Sequence, residues 1–153
     1  MAFSVYAVGK RMPLWVQQGV GDYQKRLPSH WRFDLREFAQ AKQPNAELAM
    51  QREADALLDA TPDQAHVVAL DNLGKQWSTT ELSSQLENWQ SLGKPIVFYI
   101  GGPDGLHSSC RDRSNQMWSL SALTYPHPLV RIVLLEQLYR AHSLLINHPY
   151  HRA

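Results

Sequence analysis

Apolar and polar positions along the chain alternate between two periods, and each change of period marks an element. Phe3 to Val8 is a short apolar run rich in β-formers and ended by Gly9, so it predicts a first strand. Pro13 offers a helix start. Trp15, Val16, Val20, Tyr23 and Leu27 then share one amphipathic face before Pro28 stops it. Phe33, Leu35 and Phe38 alternate with Asp34 and Glu37, the mark of a half-buried strand. From Pro44 to Leu58 the period is helical, with Glu47, Glu53 and Asp55 on the polar side. Ala65 to Leu70 predicts a buried strand. Thr79 and Thr80 can cap a helix that carries Leu82, Leu86 and Trp89, and Gly93 closes it. Ile96 to Ile100 is the most apolar strand candidate of all.

Strands and helices thus alternate, which predicts an α/β fold: a mostly parallel sheet with helices on both faces. No linker or internal repeat interrupts the pattern, and 153 residues suit a single domain spanning 1–153. After Gly101 the alternation changes character. Ser108 or Ser109 can start a short helix through Gln116, Trp118 and Leu120 form a brief strand-like element, and Pro128 precedes a long helix from Leu129 to about Ile146. That helix is apolar nearly all round. One face belongs against its own sheet, so the rest needs either a subunit partner or deep burial within the monomer.

Composition narrows the function classes. Cys110 is the sole cysteine, which excludes an internal disulfide framework and fits a reducing, cytoplasmic setting. No run reaches eighteen uncharged apolar residues, and MAFSVYAVGKRMP has no charged stretch before its apolar run, so neither membrane insertion nor export is expected. Fifteen basic residues against 14 acidic ones leave a net charge of +1, which by itself does not point to nucleic acid. The distribution says more. Arg131, Arg140, Arg152, His127, His142, His148 and His151 crowd the C-terminal region against Glu136 alone, a region that becomes strongly cationic if its histidines are protonated. A solvated helix face with a histidine-rich tail accounts for the same pattern.

Three segments carry candidate chemistry. Gly101-Gly102-Pro103-Asp104-Gly105 follows a buried strand, where open α/β sheets bind ligands, and its glycines allow close backbone approach. It has neither the spacing of a dinucleotide fingerprint nor the G-K-[ST] of a phosphate loop. Leu70 closes another strand and can line an apolar pocket or simply be core. The broken segment Ser119 to Pro128 mixes small hydroxyl residues with leucines, suited to hydrogen bonding a ring edge and covering its faces, as a purine-bearing cofactor requires. No G-x-S-x-G elbow or H-E-x-x-H motif is present, so neither a hydrolytic triad nor a metal site is expected. In the tail, His148, Tyr150, His151 and Arg152 offer stacking and charge-assisted hydrogen bonds.

LDNLGK (70–75), FYIGGPDGL (98–106), WSLSALTYPHPLVRIVLLEQLYRA (118–141) and NHPYHR (147–152) together resemble the bacterial ribosomal RNA large-subunit methyltransferase H family of the SPOUT class. The likeness extends to the opening VYAVGKRMPLWV. Gln40 to Glu53 departs from it, because family members often carry more lysines and arginines there and this chain keeps Lys42 and Arg52.

The resemblance implies a cytoplasmic homodimer that transfers a methyl group from S-adenosyl-L-methionine to N3 of a pseudouridine in 23S ribosomal RNA, within the assembled ribosome. It also implies a C-terminal trefoil knot, an exception to unthreaded chain connections. On the family pattern Leu70, Gly102, Leu120, Ser121, Ala122, Leu123, Thr124 and Tyr125 hold the cofactor, and Gly101 and Gly105 shape the turn. His148, Tyr150 and His151 are the nearest candidates for taking the N3 proton, and Arg140 and Arg152 suit phosphate or developing charge. The competing class is a ribosome- or RNA-binding factor that keeps the fold without catalysis. Stoichiometric cofactor binding separates the two.

Overall fold

The structure, a computed structural model, describes residues 1–151; Arg152 and Ala153 lie outside the described residues. Five strands form one sheet: β1 (Ala2–Val8), β2 (Arg32–Phe38), β3 (His66–Gln76), β4 (Ile96–Ile100) and β5 (Gln116–Ser119). Their order is β2-β1-β4-β3-β5, and every pairing between them is parallel. The helices are α1 (Leu14–Arg26), α2 (Ala46–Ala60), α3 (Thr79–Leu92), α4 (Ser108–Arg113) and α5 (His127–Leu145), followed by a 3-10 turn at Pro149–His151.

Both sheet faces are covered, which is why β4 reads as an unbroken apolar run. Phe3, Val5, Ala7, Ile96, Phe98 and Ile100 pack with buried residues of α1, α3 and α5. Tyr6, Val8, Val67, Ala69, Val97 and Tyr99 point the other way, toward α2 and α4. Leu134, Leu135, Leu138 and Ala141 place α5 in the first layer, against α1 and α3. Gly19 of α1 permits this approach, because a Cβ there would lie 2.6 Å from Ile132 Cδ1.

Several boundaries depart from the sequence expectation. Ser78, rather than Thr79 or Thr80, caps α3, accepting from Glu81 N while Glu81 reaches back to Ser78 N in a capping box. The short fourth helix ends at Arg113, and Gln116, expected as its last residue, instead opens β5 and accepts from the Trp89 indole at 2.7 Å. Leu120 lies beyond β5. The last helix starts at His127 because Pro128 occupies its first turn, where a missing N–H costs nothing. Glu53, expected on a polar face, is 7% exposed and accepts from Ala41 N at 3.0 Å. Arg131, expected in a cationic surface, is 2% exposed.

Candidate functional site

Three loops meet at the carboxyl edge of the sheet. β3 is in register with β5 up to Leu70↔Trp118, then leaves the ladder and rejoins at Lys75↔Trp118, so residues 71–74 bulge outward. Asp71 tightens the bulge by accepting from Leu73 N at 2.9 Å, and Arg111 approaches its other oxygen at 3.6 Å. β4 ends in the glycine turn, closed by Gly105 N donating to Gly102 O at 3.0 Å. Gly105 has φ +84°, which glycine tolerates best. A Cβ on Gly101 would lie 2.6 Å from the Gly105 carbonyl carbon, so the turn needs a bare backbone there. The third loop follows β5, where Ser119 Oγ donates to Ser121 O at 3.0 Å and Ser121 Oγ accepts from Leu123 N at 2.9 Å.

These loops enclose a cleft of about 830 Å³. Leu70, Gly101, Gly102, Gly105 and all of Leu120 to Tyr125 line it, so the structure brings together every residue that the resemblance assigned to cofactor binding. Asp71, Ile100 and Trp118 join the lining without having been singled out as site residues, and His127 joins it from within the segment Ser119 to Pro128. The volume and the mixture of apolar walls with backbone polar groups fall within the ordinary range of ligand sites. A second groove of about 590 Å³ between residues 41–49 and Asp104 is wide open to solvent and has no comparable walls. The larger and less open cleft is the stronger candidate.

The tail candidates gather elsewhere. Tyr150 donates its hydroxyl to Glu136 Oε1 at 3.0 Å, and Arg140 Nε donates to the same oxygen at 2.9 Å. The Tyr150 ring packs on Tyr139 at 4.5 Å between centroids and lies 5.0 Å from the Arg140 guanidinium. Burial, followed by hydrogen bonds to Tyr23 and Glu136, pushes the Tyr150 hydroxyl above the usual tyrosine range. The hydrogen bond to Glu136 raises Arg140 further. His148 is exposed, and its Nδ1 accepts from Tyr150 N at 3.2 Å. His151 contributes backbone to the 3-10 turn, and Arg152 lies outside the described residues. At roughly 1.5 Å per residue, Glu136 and Arg140 are about 9 and about 15 Å along α5 from Val130 at the cleft wall. Glu136, Arg140, His148 and Tyr150 are not among the residues that line the cleft.

Two further polar groups went unrecognised as site-shaping residues. Arg131 spans from α5 to the ends of β1 and β2, donating to Gly9 O at 2.7 Å and pairing with Glu37. Glu53 lies under the glycine turn, its Oε1 3.7 Å from where a Cβ of Gly102 would sit. Burial, opposed by the bond from Ala41, raises its carboxyl above the usual range. Both are polar residues whose partners are distant in sequence, so periodicity carries no signal for them. Burial pushes the Cys110 thiol up to about 12, which makes it inert core rather than a nucleophile. Among the described residues no group of three or more His, Cys, Asp or Glu is placed to hold a metal, and no helix is long and apolar enough to cross a membrane.

Comparison with known proteins identifies this arrangement. The family model described as "Predicted SPOUT methyltransferase" matches residues 1–151. The ribosomal RNA large subunit methyltransferase H of Hahella chejuensis is 48% identical over 156 residues, covering 99% of this chain and 99% of the relative. The proteins of the same name from Methylococcus capsulatus and Marinomonas sp. are 46% and 44% identical, each over 99% of this chain and 100% of their own length. A full-length match at such identity, with the three loops in place, settles the assignment: the chain belongs to the ribosomal RNA large-subunit methyltransferase H family of SPOUT methyltransferases.

Proposed function

We propose that this protein methylates N3 of a pseudouridine in 23S ribosomal RNA, using S-adenosyl-L-methionine bound in the cleft between the three loops, and that it acts on the assembled ribosome. The observation that carries the reading is the cleft itself: every residue expected to hold the cofactor lines one cleft. The fit is chemical as well as spatial. Leu70, Ile100 and Leu120 offer apolar walls to a ring, and the glycine turn that Gly101 lets close on Gly105 brings backbone polar groups to the cleft. When bound, the cofactor supplies an electrophilic methyl group. The chain's part is to hold both reactants in line, exclude water and accommodate the N3 proton, and positioning of this kind is worth roughly 7–11 kcal/mol in favourable systems.

The tail cluster belongs to the RNA in this reading. Arg140 and Arg152 face phosphate or developing charge, while His148, Tyr150 and His151 position the base. Because Tyr150 and Arg140 do not line the cleft of their own chain, a homodimer in which the tail of one copy completes the cleft of the other is the simplest assembly. The half-buried Leu129, Val133 and Leu144 of α5 and the exposed Leu14, Trp15 and Ile146 supply apolar surface for it. Sedimentation at micromolar concentration is expected to show twice the chain mass; a monomer there rejects this assembly.

The trefoil knot belongs to the same proposal. In support, β5 is an edge strand, yet α5, reached through residues 120–126, packs on α1 across the sheet. A Cβ on Gly74 would lie 2.5 Å from Trp118 N, so the rejoining end of β3 packs tightly against β5 where the chain leaves for α5. The reading as a whole is tested by calorimetric titration with S-adenosyl-L-methionine beside mass analysis of large-subunit RNA from cells lacking the gene. One cofactor per site and a missing methyl group are expected. A chain that binds no cofactor is instead a ribosome- or RNA-binding factor of the same fold.

A further inference from the structure

His127 is the first residue of α5 and forms part of the cleft wall. Its ring is held from behind. Cε1 lies 3.2 Å from the position of a Cβ on Gly9, and Arg131 Nη2 lies 3.5 Å from the same point, so imidazole and guanidinium close on Gly9 together. Nδ1 is buried with no hydrogen-bond partner, as is Arg131 Nε. The Glu37 carboxylate is engaged by Arg131, whose Nη2 also donates to Gly9 O. Across the cleft, Asp71 and Asp104 belong to the bulge and the glycine turn.

This placement decides where the proton of the ring resides. A proton on Nδ1 would be buried without an acceptor, and the Arg131 charge opposes a second proton on the ring. The proton therefore belongs on Nε2, the nitrogen left to the cleft side. We infer that His127 is a fixed, neutral hydrogen-bond donor that offers Nε2–H to an acceptor oxygen bound in the cleft, and that it is not the proton acceptor of the methyl transfer. Burial first, and then the Arg131 charge, lower its basicity, and the helix N-terminus acts in the same direction. A neutral imidazole kept from protonation is a known way to polarise an oxygen without acid chemistry.

The inference rests on the methyltransferase reading for the identity of that oxygen. Two sources share the chemistry: the carboxylate of the cofactor's amino-acid part, or a ring carbonyl of the target base, which gathers charge as N3 loses its proton. A preorganised donor to such an oxygen is worth on the order of 10²–10³ in rate.

Nitrogen-15 NMR of the full-length protein, with His127 assigned by its loss in H127Q, is expected to show the Nε2–H tautomer at pH 8 and a ring still mainly neutral at pH 6.5, the ordinary imidazole value. An Nδ1–H tautomer, or a mainly protonated ring at pH 6.5, overturns the inference whatever the activity. The second arm compares H127A and H127Q by S-adenosyl-L-methionine titration and by single-turnover methylation of unmodified ribosomes from pH 6 to 9. Loss of cofactor affinity in H127A identifies the carboxylate as the acceptor. A fall of about 10²-fold in transfer at unchanged affinity identifies the base oxygen. In either case the side-chain amide of H127Q should recover part of the loss. If H127A changes neither quantity, or converts a level pH profile into one rising with unit slope, the donor role is wrong. A parent protein that binds no cofactor defeats the methyltransferase reading instead, while the tautomer result stands.

Discussion

Tyr150 and Glu136 are joined across 3.0 Å by a hydrogen bond that folds the chain's last turn back onto α5. Glu136 also takes Arg140, so one carboxylate organises an aromatic ring and a guanidinium into a single unit. Such a unit is better built to present groups than to exchange protons. The Tyr150 hydroxyl, pushed up by burial and already donating, is a poor base at neutral pH.

Separate effects on substrate and cofactor follow from that arrangement. Truncation after Pro149 is expected to abolish methyl transfer to unmodified ribosomes while cofactor affinity stays within a few fold, because the three loops remain. Y150F keeps the ring against Tyr139 and Arg140 and loses only the hydroxyl's bonds to Tyr23 and Glu136, the bond to the carboxylate being of a kind worth about 1.5–3 kcal/mol, so a smaller loss than truncation is expected. Single-turnover assays beside calorimetric titration decide. Full activity after truncation removes the tail from the site, and equal loss of both quantities makes it a lid on the cofactor cleft.

Gly101 and Gly102 are neighbours with different tolerances. A methyl group on Gly101 runs into the backbone of Gly105 at 2.6 Å, whereas one on Gly102 meets Val8 Cγ1 at 3.1 Å, on the side away from the cleft. G101A is therefore expected to break the turn, costing roughly 1–3 kcal/mol and most of the cofactor affinity. G102A should fold and bind with a milder loss. Thermal melts and titrations of both variants test the order, and a G101A protein that binds as well as G102A contradicts it.

The strands and two of the three cleft loops were legible because they are local signals: apolar runs of strand length, a glycine cluster at a strand end, a broken hydroxyl-rich segment. Ile96 to Ile100 and the broken segment Ser119 to Pro128 needed nothing beyond their own residues, whereas the narrower set Leu120 to Tyr125 came from the family resemblance. Glu53 was misread because a glutamate at helical spacing counts as solvent-facing; it is buried by a loop that brings Ala41 over it. Arg131 was misread as surface charge for a similar reason, since its partner Glu37 is 94 residues away. The 71–74 bulge was invisible too, being fixed by the register between β3 and β5 rather than by its own composition.

Glu53 gives a pH dependence with a definite sign. Burial raises its carboxyl above the usual 4.5, so the folded chain holds that proton more tightly than the unfolded one. The resulting stabilisation is fully present below 4.5 and is lost as pH rises through the raised value. Above that value the ionised carboxylate weighs against folding. E53Q retains an acceptor for Ala41 N without the charge, so at pH 7 it is expected to be at least as stable as the parent, and its advantage should vanish near pH 4.5. Urea unfolding at both pH values measures this; a clear destabilisation of E53Q at pH 7 would mean that the carboxylate is needed ionised.

Arg131 and Glu37 form an ion pair whose two ends are unequally exposed, 2% for the arginine side chain against 34% for the glutamate. The consequence is an asymmetry between the two deletions. In E37A the guanidinium stays buried with Gly9 O and no countercharge, and removing one partner of a buried pair costs about 3–5 kcal/mol; the part-exposed carboxylate puts the expectation at the lower end. In R131M the carboxylate left behind can turn to water, and a methionine of similar reach fills much of the space among α5, β1 and β2. R131M should therefore be the milder change in urea unfolding, despite replacing the more buried residue. It also removes the cation beside His127, so its His127 ring should protonate at higher pH than in the parent. If R131M proves the more damaging, the pair's worth lies in the span of Arg131 from Gly9 to Glu37 rather than in its charge balance.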